Sequence, residues 1–445
     1  MNRATSRLCG MLCVLLSVHC GAREGSVTPS TAETASSAGN DDGASAGPGT
    51  APPYAPPMFP PEPVLFRGTR NFAPTFLGRD GTILWLHQVD CDVYLCTAKP
   101  PYSTVESLHL LSSQSCILNR FDAATASADG RHTFVATEGG IVHVALERGA
   151  PPHEEPIPET GFSRTMAGSE DGGRLFAELD GPATAEQSPG WRAVALFERT
   201  STGWTRELLS SAETPTLAEL VGIREDGRAV LYTVDRVDPW GTPGQIVLAE
   251  QMESGWTREE LDFDDAYRFR PLALTADGTT MLLLGSGSPD AEAQAPSELF
   301  ISRREDGAWG EPRLQLGLAP PQLPFLPGLS HGARRLSWVE YERADDGNTI
   351  VRTRIKMMLA LEEEWTWSNA EVVFERDGFF QIERLTFEGD KPAVFSAFAT
   401  DREEADAFIT HAYVVPDVDP PTEAIDLATL SYALENATGS RPSAS

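Results

Sequence analysis

One short unit recurs along most of the chain: an apolar stretch, an acidic-Gly corner, then a strongly apolar run. It stands as Asp80-Gly81 before Thr82-Ile83-Leu84-Trp85-Leu86, Asp129-Gly130 before Thr133-Phe134-Val135, and Asp171-Gly172 before Leu175-Phe176. It returns as Asp226-Gly227 before Ala229-Val230-Leu231-Tyr232 and as Asp277-Gly278 before Met281-Leu282-Leu283-Leu284. Weaker copies are His331-Gly332 before Leu336-Ser337-Trp338, and Glu388-Gly389 before Ala393-Val394-Phe395. Asp-Gly between two apolar runs is a strong short-range hairpin signal, read here as a turn with φ > 0 at both central positions. Successive corners lie 49, 42, 55, 51, 54 and 57 residues apart. A period near 50 residues means one structural unit repeated, not several unrelated domains.

A second hairpin follows in most copies, with Gly-Trp or a similar pair at its turn. Examples are Val194-Ala195-Leu196-Phe197 to Gly203-Trp204, Ile246-Val247-Leu248 to Gly255-Trp256, Leu299-Phe300-Ile301 to Trp309, and Met357-Met358-Leu359 to Trp365. Four strands per repeat is the arithmetic of a propeller blade. The expected fold is therefore all-β, a β-propeller of about seven four-stranded blades over residues 64–415, six or eight also being compatible with the spacing. The corner, the apolar strand and the run Glu298-Leu299-Phe300-Ile301 through Trp309 to Leu314 resemble the WD40-like, PD40/TolB-type propeller repeat of bacterial envelope proteins. The last repeat lacks a clear fourth strand. Val64-Leu65-Phe66 has the spacing of an outer strand without a blade of its own, so it is expected to pair with the last unit's third strand and close the ring, removing an exposed edge.

The ends read differently. Residues 1–22 have the form of a signal peptide, with Arg3 and Arg7 before an apolar run from Leu8 to Val18 that is too short to span a bilayer. Ser17-Val18-His19-Cys20-Gly21 resembles the lipobox of bacterial lipoproteins, which implies lipid attachment at Cys20; cleavage after Ala22 is the competing reading. Residues 23–63, rich in Ser, Ala, Gly and Pro, are expected to be a disordered linker reaching roughly 35 Å. From Pro416 to Ser445 the tail is acidic, and Ile425 to Leu434 has the pattern of a short helix. The expected location is the cell envelope, outer membrane or cell surface by lipid anchor, with a periplasmic or secreted protein as the alternative. The formal net charge of −30 repels phosphate backbones and anionic headgroups, so nucleic acid is not an expected partner and membrane contact is expected only through the lipid.

No spacing points to a catalytic group, a cofactor or a metal: there is no GxSxG, HExxH or phosphate loop. His87, His132 and His143 fall in strands, where packed histidines are the ordinary reading. In an exported chain a disulfide can persist. Cys91 stands where the first unit's third strand begins and Cys116 just past the end of its fourth, so Cys91–Cys116 is a candidate bridge; Cys96–Cys116 or no bridge are the alternatives. Asp90, Asp92, Asp235, Asp238, Asp345 and Asp346 lie in loops between second and third strands. Those loops share one face of a propeller, where a partner docks. The leading expectation is a non-enzymatic binding or scaffolding module whose partner is an envelope protein or a glycan. The alternative is a hydrolase or lyase acting on glycans or peptides in the channel mouth, and carboxylates converging there with an Arg or His would favour it. An accessory subunit packed into an envelope complex is a third.

Overall fold

The computed structural model describes the strands from Leu65 to Asp426 and most turns between them. Residues 1–64 and 427–445 lie outside the description, as do longer connections such as 112–123, 181–191, 237–243, 288–297 and 401–407. The linker, the lipobox and the loop residues Asp90, Asp238, Asp345 and Asp346 belong to those parts, as do Cys20, Cys91 and Cys116.

Among the described residues every regular element is a strand. A two-residue strand, β1 (Leu65–Phe66), comes first. Unit one holds β2 (Phe72–Leu77), β3 (Ile83–Val89), β4 (Asp92–Ala98) and β5 (Ser107–Leu110). Unit two holds β6 (Ala124–Ala126), β7 (His132–Thr137), β8 (Gly140–Ala145) and β9 (His153–Ile157). Unit three holds β10 (Ser163–Gly168), β11 (Arg174–Asp180), β12 (Arg192–Thr200) and β13 (Gly203–Leu208). Unit four holds β14 (Thr216–Ile223), β15 (Ala229–Arg236), β16 (Gln245–Met252) and β17 (Gly255–Leu261). Unit five holds β18 (Tyr267–Leu274), β19 (Thr280–Gly287), β20 (Glu298–Glu305), β21 (Ala308–Trp309) and β22 (Arg313–Gly317). Unit six holds β23 (Phe325–Leu329), β24 (Arg335–Arg343), β25 (Ile350–Leu359) and β26 (Glu371–Asp377). Unit seven holds β27 (Gln381–Glu388), β28 (Lys391–Thr400) and β29 (Phe408–Tyr413), with β30 (Ile425–Asp426) beyond.

Within each unit consecutive strands pair antiparallel, except that in unit five both β21 and β22 pair with β20. The first strand of each unit approaches the first strands of both neighbours, in the cyclic order β2, β6, β10, β14, β18, β23, β27 and back to β2. The molecule is thus an all-β propeller with first strands innermost, and its core lies between sheets. One apolar cluster joins Leu84, Leu86 and Leu95 of unit one to Val135, Val142 and Val144 of unit two. Another joins Phe176, Val194 and Leu196 of unit three to Val230, Tyr232 and Val247 of unit four. A sheet covered on both faces needs apolar side chains in both directions, so its strands read as unbroken apolar runs. Ile83, Leu84, Trp85 and Leu86 are accordingly all fully buried. Outer strands are wetter: in β13 Trp204 is buried, whereas Thr205, Arg206 and Glu207 are exposed.

The corners are hairpin turns of a different type from the one expected. Gly172, Gly227 and Gly278 have φ near +65 to +70°, whereas Asp171, Asp226 and Asp277 are not in the positive-φ region. The Gly N–H donates to the carbonyl three residues earlier, as from Gly172 to Ser169 (3.0 Å), and Ser169 N–H donates to Arg174 C=O (2.9 Å). This is a type I turn followed by one left-handed residue, so a single glycine suffices. Asp171 and Asp277 serve differently, each taking a hydroxyl hydrogen bond of 2.7 Å from Ser169 or Thr275.

Ring closure follows the expected pairing. β1 lies antiparallel to β29, with Leu65 opposite Ala412. Its other edge is taken by β30, parallel to it, Leu65 facing Ile425 and Phe66 facing Asp426. Ile425 and Asp426, where the sequence pattern suggested the start of a short helix, are therefore strand. They find unpaired backbone groups on β1 that a helix would leave open.

Candidate functional site

The end of the wheel where second strands pass to third strands gathers charge, from β11 and β12 of unit three and from the first strands β14 and β18. Glu178 sits near the end of β11 and is buried, its side chain 5% exposed. Arg192 opens β12, and its Nη1 donates to Glu178 Oε1 and to Glu219 Oε1, each at 3.2 Å. Both carboxylates therefore share one guanidinium nitrogen. Glu219, on β14, accepts through Oε2 from Arg270 Nη2 of β18 at 3.3 Å. Asp180 stands 3.9 Å from Arg192 Nε. The result is an ionic chain, Glu178–Arg192–Glu219–Arg270, that runs across units three, four and five around the mouth of the channel.

Local backbone explains the geometry. The pairing of β14 with β15 shifts register between Leu220 and Gly222, and the Leu220 N–H donates to Glu178 Oε2 (3.4 Å). Arg192 pairs with Leu217, linking units three and four directly. Burial pushes the Glu178 carboxyl above its ordinary range, more strongly than Arg192 and the Leu220 N–H draw it down. Arg270 ends the chain with its side chain 69% exposed.

Of the two described loop residues singled out from sequence, Asp235 and Asp92, Asp235 lies nearer this site. Its backbone in β15 is opposite Leu217, which also pairs with Arg192. Asp92 opens β4 opposite Val89, half-buried and in another unit. The stems of the loop that holds Asp345 and Asp346 carry a charged ladder: Arg354 meets Glu342 at 2.9 Å and Glu375 at 2.5 Å, and Lys356 meets Glu340 at 2.5 Å. Beside it Val351 and Phe379 are 40% and 52% exposed, with Tyr341 against Phe379 at 5.7 Å. Cys96 is a buried free thiol whose pKa burial raises, so it forms no bridge with Cys116. Among the described residues no group of His, Cys, Asp and Glu is arranged to hold a metal.

The mouth residues were not legible one by one, but the repeat marks two of them, Glu219 and Arg270. Counting eight residues back from the corner glycines Gly130, Gly172, Gly227 and Gly278 gives Asp122, Arg164, Glu219 and Arg270. Charge alternates over these four units, whereas the same count from Gly81, Gly332 and Gly389 falls on the uncharged Ala73, Pro324 and Gln381. Aligning the units on their corners finds that alternation, but not Glu178 or Arg192.

No protein-family model matches the chain, and no curated protein matches it. Solved structures do. An oligogalacturonate lyase from Vibrio parahaemolyticus is similar at 10% identity and TM-score 0.54, over 79% of this chain and 92% of the lyase. The β-propeller domain of the Trilobed protease from Pyrococcus furiosus gives 13% identity and TM-score 0.46, over 78% and 98%. The tricorn protease gives 13% and 0.43; the match takes in 71% of this chain and only 35% of that protein. At such identities the likeness concerns the fold alone, a β-propeller.

Proposed function

We propose that this chain is an exported propeller, held at the cell envelope by a lipid on Cys20, that binds an envelope protein or a glycan without transforming it. The ionic chain at the mouth, Glu178–Arg192–Glu219–Arg270, carries the reading. A general acid or base needs a carboxyl oxygen turned toward substrate. Here both oxygens of Glu178 and both of Glu219 already accept hydrogen bonds from the protein. Such a network is suited to exchange partners: a ligand's charged group replaces one end, and the exposed Arg270 is the end most easily reached. The apolar pair Val351 and Phe379, at the same end of unit six, gives a partner area to bury.

In-cell cross-linking followed by mass spectrometry tests this. Glu219→Arg and Arg270→Glu, made singly, should each reduce cross-links from this face by about tenfold, because each breaks the chain's own ion pair and reverses a charge that the partner meets. The double exchange should restore part of the loss. If neither single change alters the cross-linked set, the mouth is not the docking site. Cys20→Ser should release the protein from the membrane fraction and abolish fatty-acid labelling; unchanged mobility and unchanged labelling would remove the lipid from the account.

The enzyme reading draws on one observation, the buried Glu178 carboxyl with its raised pKa beside a second carboxylate on the same arginine. Oligogalacturonate, from the name of the similar lyase, is the first compound to assay. Turnover that Glu178→Gln abolishes while binding persists would put this reading ahead of the first.

A further inference from the structure

Units two and three meet at a cluster that the mouth does not involve. His132, at the start of β7, and His143, in β8, place Nδ1 and Nε2 3.0 Å apart. Their rings are stacked, with centroids 5.2 Å apart and an interplanar angle of 16°. His143 is fully buried, and its Nδ1 lies 3.6 Å from Glu155 Oε2 of β9. Arg199, on β12 of the next unit, reaches the same oxygen at 3.3 Å. Trp204 of β13 packs edge-on against both His143 and Phe134, at 5.3 and 5.8 Å. A Cβ at Gly172 would meet His132 Cγ at 2.2 Å, so the corner of unit three presses directly on the imidazole.

The proton count at this seam is limited. With both imidazoles neutral, one ring donates and the other accepts across the 3.0 Å contact. One added proton is tolerated, since an imidazolium still donates to its neutral neighbour. A second leaves two N–H groups facing each other with no acceptor between them. Arg199 is then a third cation, and Glu155 is the one anion among the charged groups that act on His143.

We propose that the His132–His143 pair is an acid-released latch on the seam between units two and three, closed at neutral pH and opened when both rings are protonated. Burial, then the charges of His132 and Arg199, lower the pKa of His143 from 6.5 to about 4 despite Glu155. In an open seam the ring returns toward its ordinary value, so the open form binds the proton first. The latch therefore holds fully above about pH 6.5 and weakens as pH falls toward 4. Each unit in that window lowers the ratio of closed to open seam by up to about tenfold.

Hydrogen exchange of the full chain, read by mass spectrometry and corrected for the intrinsic pH dependence of exchange, tests the latch. Between pH 6.5 and 4.5, peptides of β8 and β13 should lose more than tenfold in protection, while β19 and β20, at the seam of units four and five, lose less. His143→Gln cannot take the proton and should abolish the selective loss. His132→Gln removes the same encounter from the less buried side and serves if the first variant fails to fold. A loss that is uniform over all units, or one that persists in the glutamine variant that folds, would overturn the proposal.

Discussion

A methyl group at position 172 would land 2.2 Å from Cγ of His132, and the backbone there has φ +64°. Gly347 has nearly the same φ, +69°, with open space where a Cβ would lie. The two positions separate backbone strain from overlap. Gly347→Ala should cost about 1 kcal/mol, the left-handed penalty alone. Gly172→Ala should cost about 3 kcal/mol or more, because the base of the His132 ring must also move. Denaturant midpoints of the two variants check this; equal losses would mean that His132 yields freely. From sequence Gly172 was readable as a corner glycine, but its contact was not, because His132 belongs to another unit. Glu178 stayed hidden too. It is one acid among many in a chain of net charge −30, and it becomes special only when β11 pairs with β12 and it is buried beside Arg192.

At the scale of strands and turns the sequence was most informative where physics is local. Asp-Gly corners and unbroken apolar runs marked the hairpins, since a sheet packed on both faces imposes that pattern within a few residues. The turn type was misjudged because Asp-Gly serves both the two-residue turn and the longer one with a single left-handed glycine. What decides is the residue two before the Asp. Ser127, Ser169 and Thr275 accept the N–H five residues on, at 3.0, 2.9 and 2.9 Å, and so stabilise the longer turn. In unit four Arg224 holds that place and reaches Asp226 with its guanidinium at 2.8 Å, preserving the corner by another route. Neighbouring corners are also stitched together: Glu170 N–H donates to Glu225 C=O at 2.8 Å and Glu225 N–H to Ala276 C=O at 2.7 Å. No side-chain pattern records these bonds, because they join backbone to backbone between units.

At the scale of the whole wheel, closure depends on two residues near the N-terminal end. β1 covers the edge of β29 and offers its own to β30. A chain beginning at Ala55 should melt like the full protein, because it keeps every described strand from β1 onward. A chain beginning at Arg67 should melt several degrees lower, corresponding to a loss of about 1–2 kcal/mol or more, and should form dimers or aggregates through the exposed edge. Thermal melts and size-exclusion chromatography measure both; a monomer of unchanged stability beginning at Arg67 would show that closure does not need the strand. The rest of the ring was inferable from repetition, but β30 was not, since two residues in an acidic tail carry no strand signal.

The bond between Leu65 and Ala412 joins residues almost the whole length of the wheel apart. Sheets built from neighbouring strands can form as soon as their own hairpins emerge, whereas this one must wait for the last of them. If the chain is threaded out of the cell as proposed, its first strand crosses long before its mate, and spends that interval as an unpaired edge. Maturation then ends in a single late event, in which the oldest and youngest parts of the polypeptide meet and the circle locks.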